Sequence, residues 1–173
     1  MKRILVLSDT HYRKDRTDDE IIALLEGYDH IIHAGDFINE NILDELEVTG
    51  RFTGVSGNND PWSIHQRLGT RKILEIERSR IGICHGDGFW MNAFENAKRK
   101  FTADEVDIVI FGHSHYPVVK KENGVIYINP GSVSLPRGGS SRSMLELTLD
   151  EEKVRYKIIE FGGKLKWTEE HSI

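Results

Sequence analysis

Residues 3–11 read RILVLSDTH, residues 30–36 HIIHAGD, and residues 52–60 FTGVSGNND. Each stretch begins as a short apolar, β-branched run and stops in Gly, Ser, Asp or Asn, the pattern of a buried strand in a parallel sheet. Between the first two, Ile21, Ile22, Leu24 and Leu25 group on one face of a helix over Thr17–Gly27. Thr17 can cap that helix, Asp18, Asp19 and Glu20 suit its first turn, and Gly27 suits its end. Glu40–Val48 is a second, weaker helix before the third strand, Phe52–Val55. Strand, helix, strand, helix, strand predicts an α/β domain that starts as a parallel sheet. Such sheets bind beyond the carboxyl ends of their strands, which is where the polar clusters fall.

Downstream of residue 70 the pattern changes. Arg71–Glu77 and Arg80–His85 read as two strands around a tight turn. Phe89–Phe101 reads as a helix with Trp90, Phe94, Ala97 and Phe101 near one stripe, and Asp107–Phe111 as an apolar strand stopping at Gly112-His113-Ser114-His115. Val118–Asn129 is a hairpin turning at Asn123-Gly124, the type I′ signature. Ser143–Leu149 and Lys153–Phe161 form a final hairpin, and the last dozen residues are polar and patternless. No repeat, low-complexity tract or linker divides the 173 residues, so residues 1–173 are expected to be one domain.

Bulk properties narrow the function. Charged residues make up 29% of the chain, with a net charge of −5 and a pI near 5.9, so duplex binding by charge is disfavoured and nucleic acid is not an expected partner. Cys84 is the single cysteine; it excludes an internal disulfide and suits a reducing cytosol. The opening apolar run Ile4–Leu7 is too short for a signal peptide or membrane span. The expectation is a cytoplasmic protein with no membrane partner.

The chemistry lies in the strand-end clusters. Asp9, His11, Asp36, Asn58, His85, His113 and His115 offer two carboxylates, one amide and four imidazoles. That mixture suits Mn²⁺, Fe, Ni²⁺, Co²⁺ or Zn²⁺ rather than Ca²⁺, which prefers oxygen alone. Seven ligands are too many for one tetrahedral ion. They suit two ions roughly 3.5–4 Å apart that share a carboxylate and a hydroxide and clamp a phosphoryl group. Taken singly, each residue has a plainer reading. Asp9 could cap a turn, Asp36 and Asn58 follow turn glycines, and His85, His113 and His115 could be a core and two loop histidines. The joint pattern outweighs those readings.

These residues carry a resemblance. Asp9-Thr10-His11, Gly35-Asp36, Gly57-Asn58-Asn59-Asp60, His85-Gly86 and Gly112-His113-Ser114-His115 follow, in order, the D-x-H, G-D, G-N-H-[ED], H and G-H-x-H blocks of the calcineurin-like metallophosphoesterase superfamily. The short chain and Asn129-Pro130-Gly131-Ser132 with Pro136-Arg137 resemble its small YfcE-type phosphodiesterases. The resemblance implies a four-layer αββα sandwich of two mixed sheets flanked by helices. It implies two divalent cations, Mn²⁺ foremost, with Asp9, His11 and His115 on the first, Asn58, His85 and His113 on the second, and Asp36 bridging. It further implies hydrolysis of a small phosphodiester by a hydroxide between the metals, with Asp36, Asn58, Asn59 and Asp60 in the catalytic loops. The alternatives are a phosphomonoesterase with the same site and a non-catalytic protein-interaction scaffold, since a retromer subunit resembles this family too.

One position departs from the family pattern. Where its motif carries a histidine that helps protonate the leaving oxygen, this chain has Asn59. An amide can donate a hydrogen bond but delivers no proton near neutral pH, which predicts a bias toward esters with good leaving groups. Asp60 is expected to orient its loop or a nearby histidine, and His33 to end a strand behind the site. Cys84 reads as core, His30, His65 and His171 as surface, and Trp62 and Trp90 as packing rather than groove. Arg137 can contact phosphate or simply be solvated, and the C-terminal strands leave a homo-oligomer open.

Overall fold

The structure, a computed structural model, describes residues 1–12, 19–89, 91–150, 153–161, 165–167 and 171–172. Strand β1 (Lys2–Leu7) pairs in parallel with β2 (His30–His33), and β2 in parallel with β3 (Phe52–Gly54). Helices α1 (Asp19–Leu25) and α2 (Glu40–Val48) connect them, so the βαβαβ start forms as expected. The predicted cap Thr17 and first-turn Asp18 lie outside the described residues. Asn39 caps α2 instead of any residue singled out from sequence, its side chain accepting the Asn41 N–H at 3.0 Å.

A short helix, α3 (Trp62–Leu68), follows β3 and was not expected. Its signals were present: Pro61 ahead, Gly69 behind, and Ile64 and Leu68 as an i, i+4 apolar pair, both buried. Next come β4 (Arg71–Ile76), β5 (Ser79–Cys84), α4 (Ala93–Lys100), β6 (Ile108–Ile110), β7 (Pro117–Glu122) and β8 (Val125–Pro130). Helix α4 starts later than the predicted Phe89, because the Asn92 side chain accepts the Glu95 N–H at 3.0 Å and fixes the first turn there. Phe89 is therefore fully exposed, and Trp90 lies outside the described residues. Asn123 and Gly124 both have positive φ in the β7–β8 turn, as type I′ demands.

Two mixed sheets result. Strands β4-β5-β6-β8-β7 form a five-stranded sheet, parallel in its centre and antiparallel at both edges. Strands β9 (Arg142–Asp150) and β10 (Lys153–Phe161) return to the first sheet, where β9 pairs antiparallel with β1. Two short strands, β11 (Leu165–Trp167) and β12 (His171–Ser172), pair with β10 in the tail that showed no pattern. The larger sheet runs β11-β10-β9-β1-β2-β3, with β12 also on β10.

Period-two alternation builds the four layers. On β1, Leu5 and Leu7 pack with Ile31 against Ile21 and Leu25 of α1, Leu43 and Leu46 of α2, and Ile64 of α3. The opposite face, Ile4, Val6 and Ile32, packs with Leu145 and Leu147 of β9 against Ile81, Ile83, Ile108 and Ile128 of the second sheet. The outer face of that sheet carries Val109 and Tyr127 against Ala93 and Ala97 of α4. Helices, sheet, sheet, helix is the αββα order. Each fully buried Ile or Leu contributes about 1.5–3 kcal/mol, so the layers hold the strand ends rigidly in place. Cys84 is core, as expected, and burial pushes its thiol up to about 12.

Candidate metal centre

The loops leaving β1, β2, β5 and β6 converge at one edge of the sandwich. Asp9, His11, Asp36, His113 and His115 all have positive φ, a conformation that costs a non-glycine residue energy and persists only where surrounding structure enforces it. The enforcement is visible. The Asp9 N–H donates to Gly35 O at 2.9 Å and the His11 N–H to Asp36 O at 3.1 Å, locking the β1 and β2 loops together. Two glycines permit the close approach: a Cβ at Gly57 would stand 2.2 Å from Asp36 Oδ1, and one at Gly112 would stand 1.9 Å from Ser8 Oγ.

The side chains meet at short range. Asp9, His11, Asp36 and His115 present atoms within 4.8 Å of one another. Asp36 Oδ2 lies 3.3 Å from His11 Nε2 and 3.3 Å from His85 Nε2, and Asp9 Oδ1 lies 3.1 Å from His115 Nε2. The rings sort into two pairs on either side of Asp36: His11 with His115 at 4.9 Å, and His85 with His113 at 5.2 Å. His113 also donates its backbone N–H to Asp9 Oδ2 at 2.9 Å. Asn58 is exposed on the loop after β3 and has no hydrogen bond to the cluster among the described residues. Asn59 donates its backbone N–H to Asp36 Oδ1 at 2.9 Å and its amide to Asp36 Oδ2 at 2.7 Å.

Backbone carbonyls orient the imidazoles. His85 Nδ1–H donates to Ala34 O at 2.7 Å and His115 Nδ1–H to Leu135 O at 2.6 Å, since a carbonyl can only accept. Each ring therefore turns Nε2 inward. Burial opposes charge on His11 and His85, but the close approach of the Asp36 carboxylate and the field of Asp9 outweigh it, pushing both up to about 9. Burial likewise opposes ionisation of Asp9 and Asp36, and the same imidazoles overcome it, holding both below the ordinary carboxylate range. His113, half-buried and beside the His85 charge, is lowered.

A supporting layer lies beneath. Asp60 is buried, and its carboxylate accepts the N–H groups of Asp36, Ile38 and Gly57 at 2.8–3.0 Å, so it clamps the β2 and β3 loops. His33 is fully buried. Its Nδ1 accepts the Gly35 N–H at 3.1 Å, which leaves Nε2–H for Thr10 Oγ1 at 3.3 Å, and burial lowers it to about 3, so it stays neutral. Sequence reading did not predict the weight carried by Ser132, whose hydroxyl donates to Asp9 O at 2.7 Å, or by Asn129, whose amide donates to Gly112 O at 2.7 Å. The Asn129–Ser132 segment thus packs against the Asp9 and Gly112 loops. His30 and His65, expected at the surface, are half-buried and bonded to Thr53 and Ser56. Trp62, expected to pack, is 73% exposed.

The donor set fits divalent cations. Asp9 Oδ1, His11 Nε2 and His85 Nε2 are buried without a hydrogen-bond partner, and buried polar atoms left so are costly unless something else satisfies them. Carboxylate oxygen and imidazole nitrogen are donors suited to Mn²⁺, Fe, Co²⁺, Ni²⁺ and Zn²⁺.

Comparison with known proteins agrees. A profile of the calcineurin-like phosphoesterase superfamily domain matches residues 1–152. The chain is 34% identical over 165 residues to phosphodiesterase YfcE of Escherichia coli, covering 83% of this chain and 85% of that one. It is 30% identical over 162 residues to a probable metallophosphoesterase of Methanothermobacter thermautotrophicus, covering 91% and 92%. Its fold matches wild-type Vps29 of Entamoeba histolytica complexed with Zn²⁺, with a TM-score of 0.79, 22% identity and 98% of each chain covered.

Proposed function

The chain belongs to the calcineurin-like phosphoesterase superfamily, and from that premise we propose that it is a metal-dependent phosphodiesterase working with two divalent cations, Mn²⁺ foremost. Asp9, His11 and His115 would hold one cation, Asn58, His85 and His113 the other, with Asp36 between them. The observation that carries this reading is the position of Asp36 Oδ2, 3.3 Å from one partnerless imidazole of each set. When bound, the cations supply an activated water and neutralise charge on the phosphoryl oxygens.

The chain's own residues prepare that chemistry. The carbonyls of Ala34 and Leu135 fix the imidazole tautomers. Asp60 holds the β2 and β3 loops in register, which makes it a positioning residue. Asn59 holds both oxygens of Asp36 and offers an amide to a phosphate oxygen, but no proton to the departing alkoxide. In the net reaction, water oxygen bonds to phosphorus, the bond to the leaving oxygen breaks with its electron pair, and a water proton passes to solvent. An ester oxygen that departs without protonation must be a weak base, which favours activated diesters. Partnerless buried donors support catalysis over a scaffold, since a scaffold has no need to strand polar atoms. The single free cysteine, Cys84, supports the proposal of a reducing, cytoplasmic setting. No helix among the described residues is long and apolar enough to cross a membrane.

The test is hydrolysis of a chromogenic phosphodiester by metal-stripped protein, with and without Mn²⁺, beside a matched phosphomonoester. Mn²⁺-restored cleavage that prefers the diester is the expected result. Preference for the monoester would move the assignment to a phosphatase. Cleavage of neither, with metal bound, would defeat the enzyme reading.

A further inference from the structure

Eight large apolar side chains are exposed among the described residues, and they are not spread evenly. Trp62, Phe89, Met91 and Tyr116 lie within six residues of Asn58, His85 or His115 along the chain. Leu135, half exposed, gives its carbonyl to the His115 ring at 2.6 Å. The remaining three, Met1, Val48 and Ile73, sit at a terminus, a helix end and a strand edge. Five of the eight thus belong to segments that adjoin candidate site residues, along the chain or by hydrogen bond, and exposed apolar side chains that form a patch mark a contact surface.

One side of the mouth is firmly built. The Arg137 N–H donates to His115 O at 3.2 Å, so residues 135–137 are tied to His115 through both its ring and its backbone. Tyr116 follows directly, and its ring lies 3.0 Å from where a Cβ on Gly138 would stand, so the phenol packs on this loop while staying 46% exposed. Arg137 itself is exposed. Thus Tyr116, Leu135 and Arg137, all exposed, sit on backbone that is joined directly to His115.

From this we propose an ester-arm subsite, built by Tyr116, Leu135 and Arg137 with Phe89 on the neighbouring loop, that takes a flat aromatic ring on the non-reacting arm of the phosphodiester. The inference rests on the phosphodiesterase reading and extends it to substrate class. Aromatic side chains stack on flat rings with little regard for ring identity, and a guanidinium pairs with phosphate oxygens. Protein surface offered to another protein would not need to lie beside a site that binds phosphate, and that occupant is an outcome of the test.

Three diesters share p-nitrophenolate as leaving group and differ in the other arm: methyl, phenyl and thymidine-5′-yl. With the Mn²⁺-loaded full chain, kcat/KM for both ring-bearing diesters should exceed that for the methyl diester by about tenfold. Which ring gains more identifies an aryl or a nucleoside arm. The ratio should fall toward one in Tyr116→Ala and in Phe89→Ala, the latter a fully exposed position where folding is not at stake. Arg137→Ala should raise KM for all three, with partial rescue by Arg137→Lys. Equal kcat/KM for all three diesters in the unaltered protein, or an unchanged ratio in both alanine variants, would overturn the subsite and leave the apolar rim to a protein partner. If no diester is cleaved, the phosphodiesterase reading fails by itself. The subsite is then read by calorimetry, as tighter binding of thymidine 5′-monophosphate than of methyl phosphate that is lost in Tyr116→Ala; equal binding overturns it.

Discussion

Strand β1 joins two clusters of opposite character, each built on buried carboxylates. At its start, Arg3 reaches Glu146 Oε2 at 2.9 Å, Tyr28 donates its hydroxyl to the same oxygen at 3.1 Å, and Arg3 also donates to Gly27 O at 3.0 Å. At its end, Asp9 and Asp36 face imidazoles at 3.1–3.8 Å, and three buried atoms have no hydrogen-bond partner. The carboxylates at both ends are buried. The first cluster is satisfied by the chain, which is what a structural tie requires. The second is satisfied only when something else is added, and its backbone is strained besides. Hydrogen-bond satisfaction, more than burial or charge, separates the cluster that ties the fold together from the one proposed to hold metal.

The sharpest break of this comparison is Asp36→Ala. Metal ions contribute several kcal/mol of transition-state stabilisation, so loss of the carboxylate between the two imidazole sets should lower kcat/KM on the activated diester by about 10³-fold or more. Urea denaturation of the metal-free variant above about pH 9, where His11 and His85 no longer draw stability from Asp36, should show little lost stability, because the exposed Asn59 donors can turn to water. A large stability loss would make the site structural and erase the contrast.

The converse is Glu146→Ala, which should cost about 1–3 kcal/mol in the same measurement by leaving the buried Tyr28 hydroxyl without its acceptor, while Arg3 keeps Gly27 O and solvent. Mn²⁺ affinity and activity per folded molecule should hold. A change in Mn²⁺ affinity would mean that the two ends of β1 are coupled.

A pH series sharpens the same point. In the metal-free protein His11 and His85 are raised from 6.5 to about 9, so the stability they contribute is fully present below pH 6.5 and lost as pH rises through about 9. A cation must displace those protons, so Mn²⁺ affinity should climb as pH rises toward about 9, with each proton released worth about tenfold, or roughly 1.4 kcal/mol, per unit. Calorimetric titrations one pH unit apart measure this, and a flat profile would show that these imidazoles are not where the metal binds. The smallest effect expected is Tyr28→Phe, which removes one hydroxyl and should cost about 1 kcal/mol with unchanged kinetics.

Much of this was legible in the chain because strands and their terminal loops are local in sequence. Leu5 and Leu7 against Ile4 and Val6 announce a strand buried on both faces, and Asp9-Thr10-His11 announces the loop that ends it. Trp62 shows where such reading fails. Its apolar bulk argued for packing, yet only Ile64 and Leu68 of α3 turn inward and the tryptophan stays outside. Phe89 was placed in a helix by its spacing to later apolar residues, whereas the Asn92 cap starts the helix beyond it.

By itself the sequence determined the α/β class, the order of the strands and the residue types that gather at their ends, because each depends on patterns within about ten residues. Tertiary structure alone decided how those ends are held. His85 is oriented by a carbonyl 51 positions away, the Asp9 loop by the Ser132 hydroxyl 123 positions away, and Asp36 by an asparagine 23 positions away. Hydrogen bonds between distant loops leave no periodic trace along a chain. They exist only once two sheets and their helices have buried enough apolar surface to bring these loops to one edge.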